Sequence, residues 1–156
     1  MDKLKIEAFK EKNQMLSNMK SIILSTVDQH GKPNASYAPS VIDENGSFFI
    51  YISTLSKHTQ NLLNNSKVSM MIIEDETNSE NLFARKRFTI KGKSEAIIRD
   101  SERWNHKMKL LENKFGESIT FLKDLTDFHL FELTPNSGLL VYGFARAFHF
   151  TGNDLN

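Results

Sequence analysis

Cysteine is absent from the 156 residues, which excludes disulfides, thiolate metal sites, iron–sulfur clusters and a cysteine nucleophile. A charge excess is missing too. Lys and Arg number 20 against 19 Asp and Glu, a formal +1, so nucleic acid is not an expected partner. No run approaches the roughly 18 apolar residues of a membrane span, and the opening MDKLKIEAFKEKNQ is too charged for a signal peptide. The expectations are no membrane partner and a cytoplasmic location. G-x-S-x-G, H-E-x-x-H, P-loop and G-x-G-x-x-G motifs are all missing, which removes most weight from hydrolase and nucleotidase readings. The five His residues include no pair at i and i+4, so a zinc site would need distant residues.

What is present is a foldable composition: 39% hydrophobic residues, among them twelve Phe, are enough to build one core at this length. A single domain, 1–156, is the expectation, without repeats or linkers. Leu4, Ala8, Met15 and Met19 recur at helical intervals and leave Lys5, Glu7, Glu11 and Lys12 to solvent, which predicts a helix over about 2–18. Ser21 to Val27, Asn34 to Ile42 and Ser47 to Ile52 are extended runs separated by turns at Gly31-Lys32-Pro33 and Asn45-Gly46, a three-stranded meander. Ser56 is placed to cap a short helix over Lys57 to Asn64 with Leu62 and Leu63 inward, and Lys67 to Ile73 returns as a strand. Glu74 to Asn81 reads as an exposed acidic connector, and Arg85 to Ile98 as a bent strand. Asp100 is placed to cap a helix carrying Trp104, Met108, Leu111 and Phe115 and ended by Gly116. A shorter helical piece spans Ile119 to Leu125. Phe128 to Leu133, a turn at Pro135-Asn136-Ser137-Gly138 and Leu139 to Phe150 complete the chain. Antiparallel strands in succession, interrupted by short helices, predict a mostly β protein built as a small antiparallel barrel over about 21–150.

Two stretches offer chemistry. In Ser53 to Leu62, hydroxyls and Lys57 lie where a strand ends and a helix begins, and free first-turn amides beside a cation form an anion site. The bland alternative is a capped helix with a solvated Lys. In Asn81 to Thr89, alternation puts Arg85 and Arg87 on one strand face. Two like charges there repel unless an anion or carboxylate sits between them, and guanidinium geometry suits bidentate binding. The alternative is a pair of surface ion pairs. His30 in a turn and His106 on a helix read as surface residues.

Leu24-Ser25-Thr26-Val27, Gly31-Lys32-Pro33, Ser56-Lys57-His58, the run Asn81-Leu82-Phe83-Ala84-Arg85-Lys86-Arg87 and the ending Gly143-Phe144-Ala145-Arg146-Ala147, in this order, resemble the FMN-binding split-barrel superfamily. Within it the chain resembles the HugZ/HutZ-type haem-utilisation proteins, relatives of pyridoxamine 5′-phosphate oxidase, from about Ser21 to Phe150. The resemblance implies a split β-barrel that forms a homodimer, with its ligand in a cleft at the subunit interface. In the flavin branch Ser56, Lys57 and Arg85 or Arg87 would hold the FMN phosphate. In the haem branch Arg87 would lie near the haem, His58 would belong to the binding segment, and a His late in the chain would ligate iron, for which His149 is the candidate here and His58 the alternative. Asp127 matches the carboxylate that supports the ligand. The implied activity is oxidative haem breakdown with oxygen and an electron-donating reductase. An FMN-dependent oxidoreductase and a haem carrier without turnover are the alternatives. Ala145 stands where the family usually has Gly, and its methyl would crowd a close backbone approach.

Overall fold

The computed structural model describes residues 2–155. Helix α1 (Lys3–Asn18) leads into strands β1 (Ser21–Val27), β2 (Pro33–Pro39), β3 (Val41–Ile42) and β4 (Phe48–Ser53), then helix α2 (Lys57–Asn64) and strand β5 (Lys67–Ile73). Two 3-10 turns, Glu76–Asn78 and Leu82–Ala84, precede β6 (Arg87–Ile97). Helices α3 (Glu102–Phe115) and α4 (Glu117–Leu122), strands β7 (Phe128–Gly143) and β8 (Arg146–Thr151) and a last 3-10 turn, Gly152–Leu155, follow. No helix among the described residues is long and apolar enough to cross a membrane.

The strands form one antiparallel sheet in the order β2-β1-β5-β6-β7-β4-β3, with β8 also on β7. Its first and last strands are consecutive in the chain and joined by Ser40 alone, so the backbone itself turns the path into a barrel. Ser40 is fully buried, and its hydroxyl donates to the Phe49 carbonyl at 3.0 Å, which pins this corner. The run expected over 34–42 therefore breaks in two. Both antiparallel pairings of the expected meander form, β1 with β2 and β3 with β4, but the second is only two residues long and β4 pairs mainly with β7.

Alternation fills the barrel. Ile22, Leu24, Met70, Ile72, Phe88, Ile90, Leu140 and Phe150 point inward from neighbouring strands, each stabilising by about 1.5–3 kcal/mol on burial. Strand β4 is buried on both faces. Phe48, Ile50 and Ile52 enter the barrel, while Phe49 and Tyr51 pack outward against Trp104, Met108 and Leu111 of α3, which accounts for its unbroken apolar run.

Several local expectations are corrected. The Pro135 to Gly138 turn does not exist, for β7 runs through it, and the hairpin lies at Gly143 to Arg146. Opposite Lys91 and Gly92 the register shifts by one residue at Asn136, a bulge that accommodates Pro135. Gly138 serves packing: a Cβ there would lie 2.5 Å from the Phe88 ring. Ser101, not Asp100, caps α3 by accepting from the Trp104 amide at 3.1 Å, and Asp100 takes the left-handed φ of 65° that precedes it. Leu63 of α2 and Leu4 of α1 are exposed. Lys12 is the reverse case, expected in solvent and found buried. Its ammonium donates to the Asp154 carbonyl at 2.7 Å and lies over the Phe9 and Phe150 rings at 4.8 and 5.1 Å. Burial holds its pKa below the ordinary lysine value, partly countered by the Asp154 charge.

Candidate functional site

Strand β4 delivers its last residue, Ser53, to the start of α2. The Ser53 hydroxyl donates to Asp127 Oδ2 at 3.0 Å and accepts from the Leu55 amide at 3.1 Å, while the Asp127 carbonyl accepts from the Thr54 amide at 2.8 Å. Asp127 thus ties the residues before β7 to the strand-to-helix segment. Ser56 occupies the N-cap position, but its side chain makes no capping hydrogen bond, contrary to expectation, so the first-turn amides of α2 lack that partner. Lys57 is exposed and lines a cavity of about 380 Å³ with Asp28, Gln29, His30 and Gln60. Backbone hydrogen bonds from Lys32 and His30, with the Lys57 charge, hold the Asp28 carboxyl below its usual range.

His58 faces the other way. It is buried, its Nδ1 lies 2.8 Å from the Ser36 hydroxyl on β2, and burial pushes its pKa down, which favours the neutral ring. One turn on, Asn61 donates to the Thr26 hydroxyl at 3.0 Å, so the i, i+3 pair anchors α2 on β1 and β2 and turns Lys57 outward.

The second stretch lies elsewhere. Arg85 is not in β6 but caps the 3-10 turn before it, so alternation does not govern its direction. Its Nε donates to the Glu74 carbonyl at 2.6 Å, and its guanidinium lies 3.5 Å from Glu76. The acidic connector is therefore not simply solvated. The Glu74 amide donates to the Lys86 carbonyl at 3.0 Å, and the Glu74 carboxylate accepts from the Lys86 amide at 3.0 Å. Lys86 itself pairs with Glu11 of α1 at 3.0 Å. Arg87 begins β6 and donates to the Arg85 carbonyl at 2.8 Å. It has no carboxylate within ion-pair distance among the described residues, whereas Arg85 has one.

Arg87 and Thr89 lie on the outer face of the barrel, opposite the buried Phe88 and Ile90. Register places Tyr37, Ile23, Met71, Thr89, Leu139 and His149 in one row across that face, with Arg87 in the adjoining row beside Ile73 and Val141. His149 is exposed, and strand spacing separates it from Arg87 by about 12 Å. Tyr37 is 66% and Ile23 42% exposed, an apolar stripe without cover from the described residues. Sequence reasoning missed the row and the role of Glu74. The alternation in Ser21 to Val27 already carried part of the signal for the row.

The candidates thus fall into two groups. Ser56, Lys57, His58 and Asp127 lie by the start of α2, and Lys57 lines its cavity with residues just beyond Val27 of β1. Arg87 lies beside Ile73 and so at the Ser21 end of β1, with His149 on the same face. Seven residues of strand put the groups roughly 20 Å apart within one chain. A larger cavity of about 640 Å³, between α1 and the end of β5, is lined by none of them. No cluster of three or more His, Asp or Glu side chains among the described residues is arranged to hold a metal ion.

Comparison with known proteins follows the same outline. A family model described as pyridoxamine 5′-phosphate oxidase matches residues 8–142. The haem oxygenase HutZ of Vibrio cholerae is 46% identical over 136 residues, which cover 87% of this chain and 77% of HutZ. A crystal structure of V. cholerae HutZ, described as a haem storage protein, superposes with a TM-score of 0.78 at 42% identity, covering 81% of this chain and 89% of that one. Campylobacter jejuni ChuZ superposes with a TM-score of 0.86 at 29% identity, covering 99% of this chain and 62% of ChuZ. The barrel that Ser40 closes is accordingly a split barrel, and the chain belongs to the pyridoxamine 5′-phosphate oxidase-like split-barrel family, in its HugZ/HutZ-type branch.

Proposed function

We propose that two copies of this chain hold haem between them and degrade it oxidatively, releasing iron, with oxygen and electrons from a separate reductase in the cytoplasm. The observation that carries this reading is the outer sheet face, which combines an apolar stripe of Ile23, Met71 and Leu139 with the imidazole of His149 and the Arg87 guanidinium. Haem needs this combination: apolar contact for the macrocycle, cations for its propionates and a neutral nitrogen for iron. The relative named haem oxygenase supports turnover, and the description of the same relative as a storage protein keeps a carrier as the alternative outcome.

The roughly 20 Å between Arg87 and Lys57 supports the second subunit, because one chain does not bring both cations to one ligand. A two-fold axis through the apolar face covers Tyr37 and Ile23 and lets the α2 end of one copy approach Arg87 of the other. In this arrangement Lys57 and the first-turn amides beyond Ser56 take a propionate, His149 ligates iron, and Arg87 supplies charge and a hydrogen bond beside the ring. Arg85 supports Arg87. Asp127 holds Ser53, and His58 braces α2 from behind. Haem supplies the carbon that is oxidised. The side chains named here would bind it and orient it.

FMN is the second reading. The family model and the uncapped N-terminus of α2 beside Lys57, a ready phosphate cradle, favour it. A titration separates the outcomes. Haem added to the purified chain gives a sharp Soret band that bleaches when ascorbate or a reductase is supplied in air. A stable band under those conditions means a carrier. A yellow protein as purified, with no defined Soret band on haem addition, means a flavoprotein and overturns the haem reading.

A further inference from the structure

The structure assigns Glu74 and Arg85 as positioning residues that aim Arg87, with Arg85 making no contact to the ligand itself. The assignment rests on the haem reading above only for what Arg87 touches. Three polar groups of Glu74 engage two neighbouring residues: its amide donates to the Lys86 carbonyl, its carboxylate accepts from the Lys86 amide and its carbonyl accepts from Arg85 Nε. The peptide between Arg85 and Lys86 is thereby held from the Lys86 side by a carboxylate and from the Arg85 side by a guanidinium. That peptide's carbonyl is the acceptor of Arg87 Nη1.

The Arg87 side chain is therefore folded back onto a backbone oxygen whose direction Glu74 fixes. A long cation held at one nitrogen has fewer rotamers to lose when it meets an anion, so less of the binding energy is lost on ordering it. Arg85 differs. Its Nε is taken by Glu74, its charge faces Glu76 at 3.5 Å, and its side chain is only 22% exposed. Of the two guanidiniums in the run, Arg87 is thus the one left free for a ligand.

A double-mutant cycle tests this in the full-length chain, with haem titrated by its Soret band. Arg85→Met weakens binding about tenfold when Arg87 is present and adds nothing in an Arg87→Met background, because a positioning residue acts only through the group it positions. Glu74→Ala reproduces Arg85→Met, and Glu74→Gln, which keeps an oxygen acceptor for the Lys86 amide, stays near wild type. Fully additive losses for Arg85→Met and Arg87→Met overturn the assignment, since they mean that Arg85 meets the ligand directly. The Nη1–H resonance of Arg87, the group that donates to the Arg85 carbonyl, gives an independent reading in the ligand-free protein. It is sharp and slowly exchanging in the wild type and in Glu74→Gln, and it broadens in Glu74→Ala and Arg85→Met. If the wild type binds no haem, the functional reading fails while this resonance still decides the positioning. An Arg87 signal unchanged by both Glu74→Ala and Arg85→Met overturns it.

Discussion

Replacing Gly138 with Ala separates a packing glycine from a turn glycine. In a strand with open space, a glycine-to-alanine change stabilises by about 0.4–1 kcal/mol through the unfolded chain. Here the added Cβ lies 2.5 Å from Cε1 and 2.8 Å from Cζ of Phe88, well inside contact distance. Phe88 is 2% exposed and meets Phe150 edge-on with ring centroids 5.6 Å apart, so the ring has no free direction in which to retreat. Overpacking of this kind costs about 1–3 kcal/mol, which outweighs the entropic gain and leaves Gly138→Ala destabilised by about 1–2 kcal/mol. With a urea slope of about 2 kcal/mol per molar, the unfolding midpoint falls by roughly 0.5–1 M when both proteins are compared at one concentration. Phe88→Leu in the Gly138→Ala background recovers part of the loss, since the two side chains share the crowded volume. A midpoint at or above wild type for Gly138→Ala refutes the packing account.

Further outcomes follow from other positions. Ala145 sits at the β7–β8 hairpin with φ 55°, where a Cβ costs about 1–2 kcal/mol, so Ala145→Gly raises the melting temperature slightly and Ala145→Val lowers it. A fall for Ala145→Gly contradicts that strain. His58 has its folded pKa below the unfolded value of about 6.5, so the unfolded chain takes up the proton first and stability falls as pH drops below about 6.5. Denaturation between pH 7 and pH 5 checks this, and a His58→Gln variant with an equally steep decline assigns the loss to another group. Arg87→Ala weakens haem binding by about 1.5–3 kcal/mol whereas Lys93→Ala, an exposed residue farther along β6, changes it little. Equal affinities for the two variants return Arg87 to an ordinary surface role.

Regular elements were legible because local chemistry decides them. The ranges of β1, β5 and α2 follow from alternation, turn residues and helical spacing, and tertiary contacts only confirm them. Failures occurred where a distant partner sets the outcome. Pro135 to Gly138 has the composition of a turn, yet a bulge opposite Lys91 and Gly92 and the approach of Phe88 to Gly138 make it strand. Lys12 sits on the polar side of α1 by periodicity, but the last turn of the chain brings Asp154 over it, 142 residues away. The site divides in the same way. Residue types in the Ser56-Lys57-His58 and Arg85-Lys86-Arg87 segments are enough to mark them as candidates for chemistry. Their roughly 20 Å separation, the inward turn of His58 and the hold of Glu74 on the Arg run depend on strand register.

Sharing of one ligand site between two subunits is tested most directly by complementation. Lys57→Ala and Arg87→Ala chains are unfolded together, refolded as a mixture and titrated with haem. If each site takes Lys57 from one copy and Arg87 from the other, every mixed dimer carries one intact site and one doubly defective site. Random pairing then restores about a quarter of all sites to wild-type affinity. A mixture that binds as the plain average of the two variants refolded separately, with no wild-type fraction, contradicts a site built across the interface.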